Sequence, residues 1–523
     1  MDKTNTMGIK SMSVAERIVL AHKTSDEEVL CTLANDRSYK VRKTVAQNSN
    51  TNTEILASLA KDRDEYVRIE VAGNLNTPSK VLEELSYDKD WFVRKVVVAN
   101  VNTSADTLTN LVIDEHSCVR KEVALCDNVS LELLEALAND KDSCVRVAVA
   151  QSAIISSETF IELAKDENYE VRCTVADNKA TPVEILDYLA KDKDWWVRMG
   201  VAGNRNTSVG ILAMLAKDEI ISVRELVASN PNTPSYILAQ LAEDEVNCVR
   251  CAVAENINTS IELLYALAQN VDKWVRYAVA ENANTSVKLL EALTNDKEFI
   301  VRKAVAQNKN TPTDILLKLA QDIDVDVRCA VAKNVNTPIE LLSALAQDIE
   351  LVRCSVAGNV NTSANSLEAI ANDKEPYVRE VVAQNENTSP DTLSMLALDK
   401  IPHIRELIAF NSNAPLKTLF QLAEDKNSDV RKAVASNKKT PSELLVTLAT
   451  DENVNVRKAV VENINTPVEV LIKLATSNNY WILMALIQNK NTPSDILSLF
   501  AHDERCFVRN TAIQLLSERK AKK

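Results

Sequence analysis

The sequence predicts an all-α protein, built as a solenoid of about twenty two-helix repeats of 26 residues. Three observations lead there. The dipeptide Val-Arg returns at a constant interval along nearly the whole chain. Each interval holds two short segments whose apolar residues fall at helical spacing. A recurring set of Asn, Thr, Pro or Ser, and Asp separates those segments. A fixed period of this size marks stacked units rather than independent domains.

The register comes first. Val-Arg stands at Val41, Val67, Val93, Val119, Val145, Val171, Val197, Val223, Val249, Val275, Val301 and Val327, 26 residues apart at each step. One residue is then missing, and the series resumes at Val352, Val378, Ile404, Val430 and Val456. Ile482-Leu483 is a degenerate copy, Val508-Arg509 closes the series, and a weaker unit begins near Ala15. These boundaries predict a tail over residues 1–14, one array over residues 15–516 and a basic tail over residues 517–523.

The first segment of a repeat is about two turns long, with Val301, Ala304 and Val305 on one face. The second follows Asn308 to Pro312 and places Ile315, Leu316, Leu319 and Ala320 on one face. Thr followed by Pro or Ser, as in Thr181-Pro182 and Thr259-Ser260, reads as a helix start with Thr as the cap. Glu184 and Glu262, three residues after their Thr, fit a capping box. Neither helix is long enough to persist alone, so stacking must supply the burial.

Two polar rows accompany the apolar ones. Asn recurs at Asn48, Asn74, Asn100, Asn204, Asn230, Asn282, Asn308 and Asn334, which suits a tight corner between helices. Asp36, Asp62, Asp88 and Asp114 each stand six residues before an Arg. At Ser477 and Leu483 both members are lost together, which suggests that they pair. Rows repeated in nearly every unit belong to a scaffold and not to a single active site.

The consensus V-R-x-x-V-A-x-N-x-x-T-P-x-x-L-x-x-L-A-x-D resembles the leucine-rich repeat variant family. Val301-Arg302, Val305-Ala306, Asn308, Thr311-Pro312, Leu316, Leu319-Ala320 and Asp322 carry the likeness within one unit, and it extends over residues 15 to 515. The resemblance implies a right-handed superhelix without strands, in which α and 3₁₀ helices alternate. Which helix would be 3₁₀ is left open by the spacing. A member of that family carries an N-terminal iron–sulfur segment, but residues 1 to 30 here contain no Cys, so that feature is not transferred. The family implies no reaction, and its generic role is protein–protein interaction.

Composition narrows the function classes. The chain is 46% hydrophobic and 26% charged, which suits a folded protein. A net charge of −14 repels phosphate backbones and disfavours nucleic-acid partners. No signal-type or membrane-spanning stretch stands out, so a cytoplasmic protein is expected. Cys248-Val-Arg-Cys251 imitates a redox or metal motif but occupies ordinary repeat positions. The four His are scattered, and no phosphate-binding Gly-rich loop or nucleophile elbow is present. The reading is therefore a non-catalytic scaffold for an unidentified protein or peptide, without catalytic, cofactor or metal residues. The alternatives are a nucleic-acid-binding or nucleic-acid-processing repeat protein and a purely structural spacer. The informative residues are those that do not repeat. Just before Val-Arg these are aromatic in several units, so Trp91, Trp195, Trp196, Trp274 and Tyr377 form the candidate interaction surface.

Overall fold

The structure is a computed structural model that describes residue 9 and residues 11–477, 479–503 and 505–521. Most of the tail expected over residues 1–14 lies outside the described residues. Among the described residues there are helices and no strands. Two compact units are formed, Met1–Val249 and Arg250–Lys523. Both are built from nine-residue helices alternating with seven-residue helices, such as Trp195–Gly203 with Val209–Leu215 and Phe299–Gln307 with Thr313–Leu319.

Among the described residues both helices of a repeat are α-helical, so the implied alternation with 3₁₀ helix is not found there. In the second helix the amide of Ala320 reaches back four residues to Leu316 O at 2.9 Å. Three-residue bonds lie at helix ends, at the exit where Gln321 N meets Lys318 O and Asp322 N meets Leu319 O, and in other repeats also at the entry, as Leu289 N meets Ser286 O. That is the usual tightening of a helix end.

The start of the second helix differs from the sequence expectation. Pro312 is the N-cap, with φ −78° and ψ 164°, and Thr311 precedes it. Thr311 is fully buried, and its hydroxyl donates to Val305 O at 2.5 Å. The threonine thus closes the corner onto the first helix. Where Ser replaces Pro, its hydroxyl is the cap, as when Ser286 accepts from Leu289 N at 3.3 Å. Glu184 therefore stands at the second helical position, one residue too early for the reciprocal bond. A capping box does form at Ser13 and Glu16.

In each unit the core is the sum of the two apolar faces. Val301, Ala304, Val305 and Ala306 are buried from the first helix, and Ile315, Leu316 and Leu319 from the second. Each buried Leu or Val contributes roughly 1.5–3 kcal/mol, and neighbouring repeats supply the covering atoms. Within a unit a nine-residue helix packs directly on the next, as Trp195–Gly203 does on Tyr169–Asp177 and Ile221–Ser229. The seven-residue helices approach one another less closely, so within each unit the nine-residue helices form the tighter layer.

The polar rows join successive repeats. Asn308 Nδ2 donates to Ala280 O at 2.7 Å and Asn282 O at 3.1 Å in the preceding repeat. Its Oδ1 accepts from Asn310 N at 2.9 Å, which sets the corner. The second Asn row repeats the device nearer the surface, with Asn310 Nδ2 on Ala283 O at 2.6 Å. Each buried Asn side chain therefore uses both its donor and its acceptor. Even across the missing residue the row continues, since Asn359 bonds Ala332 O at 2.7 Å and Asn334 O at 3.0 Å.

The Arg row pairs forward rather than backward. Arg302 binds Asp322, twenty residues later, through Nε at 2.5 Å and Nη2 at 2.9 Å. The Asp six residues before it, Asp296, contributes only its backbone carbonyl, which accepts from Nη1 at 2.7 Å. Asp322 Oδ1 also accepts from Asp324 N at 2.9 Å and shapes the turn. Where Leu483 replaces Arg, it is buried, and Asp503 pairs with Arg505 at 2.8 Å. The helix Cys506–Ala521 packs on Ser494–Phe500 and Tyr480–Gln488. Arg519 donates from Nη1 to Thr492 O at 2.6 Å and from Nη2 to Asn489 O at 3.2 Å. It thereby satisfies carbonyls of the preceding repeat, as Asn does elsewhere. Of the expected basic tail, residues 522 and 523 lie outside the described residues.

This ladder makes stability depend on acid. Burial pushes the carboxyls of Asp62, Asp140, Asp322 and Asp451 up, but the facing guanidinium and the turn amide outweigh it and hold each below the usual value. A carboxyl lowered in the folded state stabilises fully above its unfolded pKa of about 3.9, and that stabilisation is lost as pH falls through the folded value. The melting temperature should be level between about pH 7 and pH 5 and fall steeply below about pH 4. Circular dichroism melts across pH check this, and a melting temperature unchanged down to pH 3 would contradict it.

Candidate interaction surface

The repeated side chains are turned inward or toward neighbouring repeats. Thr311, Asn308 and Arg302 all have their polar atoms bonded within the fold. Within each unit one open surface is a stripe of exposed and half-buried residues along the nine-residue helices. It consists of the residue before Val-Arg and those three and seven positions further on, a helical i, i+3, i+7 set. In one repeat these are Trp196, Met199 and Gly203.

Four of the five aromatic candidates lie on or beside this stripe with exposed or half-buried rings, and the fifth is partly covered by packing. Trp196 is 45% exposed and stacks on half-buried Trp195, with ring centroids 4.1 Å apart at an interplanar angle of 26°. Trp274 is 54% exposed, meets Tyr277 edge-on at 5.9 Å, and has Lys273 Nζ 5.7 Å from its ring centroid. Tyr377 is also exposed. Trp91 is different: His116 of the next repeat stacks on it at 4.2 Å and 5°, so one of its faces is used in packing between repeats. The structure brings together Trp195 and Trp196. It leaves Trp91 four repeats before them, and Trp274 four repeats before Tyr377.

A neighbouring feature was not singled out by the sequence. Asp177 lies on the stripe of the repeat before Trp196. A Cβ built on Gly200 would fall 2.7 Å from Asp177 Oδ1 and 3.0 Å from Ala176 Cβ. The recess that accepts this carboxylate therefore exists because residue 200 has no side chain. Cys173 closes it, with Sγ 3.8 Å from Asp177 Oδ2 and 3.6 Å from Trp196 O. Burial raises the Asp177 carboxyl pKa, against a smaller lowering by the Cys173 thiol. Burial, followed by the charge of Asp177, pushes Cys173 up to about 11. Such a thiol is protonated and unreactive near neutrality. The sequence signal was available: Gly200 stands where Ala148, Ala252, Ala278, Ala304 and Ala330 stand in other repeats.

In the Cys248-Cys251 pair, burial, followed by Glu225, raises the Cys248 pKa, the opposite of an activated thiol. Among the described residues no group of three or more His, Cys, Asp or Glu could hold a metal ion. No helix among them is long and apolar enough to cross a membrane.

The expected likeness to a known repeat is found in the second unit, where residues 429–453 match the family model of the leucine rich repeat variant. Among solved structures, the chain is similar to a leucine-rich repeat variant with a novel repetitive structural motif. That match is 28% identical, covers 42% of this chain and 87% of the other, and has a TM-score of 0.35. Importin beta in a polyethylene glycol condition is 13% identical, with 98% of this chain and 87% of that one covered and a TM-score of 0.33. Kap121p bound to Ste12p is 11% identical, with 98% and 67% covered and a TM-score of 0.32. No curated protein matches the chain.

Proposed function

We propose that this chain is a non-catalytic scaffold of the cytoplasm that binds a protein or peptide along the exposed stripe of its nine-residue helices. One observation carries the reading. The repeating polar residues are consumed by bonds between repeats, whereas the non-repeating aromatic residues Trp196 and Trp274 keep open ring surface. Large rigid rings on an otherwise regular surface are the side chains that anchor interfaces. The acidic balance of 74 Asp and Glu against 60 Lys and Arg favours protein over nucleic acid as the partner.

Affinity capture from native lysate tests this with the intact chain, Trp195→Ala/Trp196→Ala, and Leu75→Ala/Val101→Ala as a control. Leu75 and Val101 are also exposed apolar residues, but they stand in the turns between helices. The expected result is a set of proteins held by the intact chain and the control and reduced at least about ten-fold on the tryptophan variant, the range of an interface hot spot. Equal capture by all three proteins would overturn the placement on the stripe.

A further inference from the structure

The stripe between Tyr169 and Val249 has a chemistry of its own. Its positions in these repeats hold Glu170, Asp177, Trp196 and Glu225, and none of them is Lys or Arg. In the earlier repeats the same positions hold Lys40, Lys43, Lys95 and Lys121. Asp177 is the unusual member. Asp177 is exposed as a residue, yet its carboxylate is backed by Gly200 and Ala176 on one side, where burial raises its pKa, and the bond drawn to it comes from a thiol, a weak donor. The recess itself needs Gly200, and a Gly inside a helix is a poorer helix former than Ala. A carboxylate so placed calls for a cation that is not supplied by the nearby Arg198, whose guanidinium is engaged by Asp218 at 2.5 Å. Trp196 and Gly200 are one helical turn apart on the same side, and Cys173 Sγ links the two places, 3.8 Å from Asp177 Oδ2 and 3.6 Å from Trp196 O.

We propose that this stretch of the stripe binds a basic segment of a partner protein, with one Lys or Arg side chain laid over Trp196 and its charged head at Asp177. The proposal rests on the scaffold reading and names the partner chemistry. A Lys or Arg side chain fits both halves of the arrangement, because its apolar stem covers an aromatic ring while its head meets a carboxylate. Glu170 and Glu225 extend the same preference to flanking basic residues. An acidic segment is repelled at each of these positions, and a neutral apolar one leaves Asp177 without a counter-charge.

The test measures fluorescence anisotropy of fluorescein-labelled octalysine with the full-length chain, and of labelled octaglutamate as the reverse charge. Four variants are compared: Asp177→Asn, Trp196→Ala, Gly200→Ala and Asp187→Asn. Asp187 lies on a seven-residue helix and pairs with Lys191 at 2.9 Å, so its variant makes the same charge change away from the stripe. Far-UV circular dichroism confirms that each variant keeps its helices. The expected result is octalysine binding that weakens with salt, falls at least about five-fold in D177N, W196A and G200A, and changes less than about two-fold in D187N. Equal losses in D177N and D187N, or equal binding of octaglutamate, would overturn the proposal. If octalysine ignores D177N while lysate capture still depends on Trp195 and Trp196, the partner chemistry is wrong and the scaffold reading stands. If capture is indifferent as well, both fail.

Discussion

Arg302→Met is expected to open its repeat by about 3–5 kcal/mol, the cost of breaking a buried ion pair by removing one member. The substitution deletes two bonds to Asp322 and those to Asp296 O and Lys297 O. It leaves the Asp322 carboxylate, 7% exposed, facing an apolar chain. Arg302→Met/Asp322→Leu should recover most of the loss, because no charge is then stranded. In the degenerate unit each forward pair loses only one member: Ser477 stands twenty residues after Arg457, and buried Leu483 stands twenty residues before Asp503, which pairs with Arg505 instead. Repeat arrays need not unfold in one step, so the readout is native-state hydrogen exchange at residues 299–322. A single variant costing less than about 1 kcal/mol, or a double variant costing the sum of two singles, would show that the pair is not coupled.

Asn308→Ala should have the next largest effect, about 2–4 kcal/mol. Each buried polar group left unmatched costs about 1–3 kcal/mol, and this change strands Ala280 O and Asn282 O and removes the acceptor of Asn310 N. Asn308→Asp should be no better, since a carboxylate cannot donate to two carbonyls. Asn310→Ala should cost under about 1 kcal/mol, because its bond to Ala283 O is exposed and water replaces it. Thermal melts with exchange at residues 280–312 separate the three variants. Equal losses for Asn308→Ala and Asn310→Ala would mean that burial of the first Asn row does not matter.

Much of this architecture was legible in the chain. The Val-Arg interval set the period, and the spacing of Val301, Val305, Leu316 and Leu319 correctly placed the core of both helices. What remained hidden follows from the period itself. In a perfect repeat an Asp stands both six residues before and twenty residues after each Arg, so periodicity alone cannot choose between them. Geometry does: the side chain of Arg302 reaches forward to Asp322, and the preceding Asp296 offers its backbone carbonyl. The same ambiguity misplaced Thr311. Thr and the residue after it are both plausible caps, and the decision rests on burial of the Thr311 hydroxyl against Val305 O. The candidate surface was legible only as variability. The aromatic positions were visible, but the packing of Trp91 on His116 and the opening of Asp177 beside Gly200 depend on residues one repeat away.

The account holds that repeated residues build the stack and that non-repeating residues on the nine-residue helices meet the partner. Photo-crosslinking tests that division directly. A benzophenone amino acid is placed at residue 196, on the stripe, and separately at residue 188, where Tyr188 is 52% exposed on a seven-residue helix. Irradiation in native lysate should give discrete protein adducts from position 196 and none from position 188. The same adducts from both positions, or adducts from position 188 alone, would contradict the account.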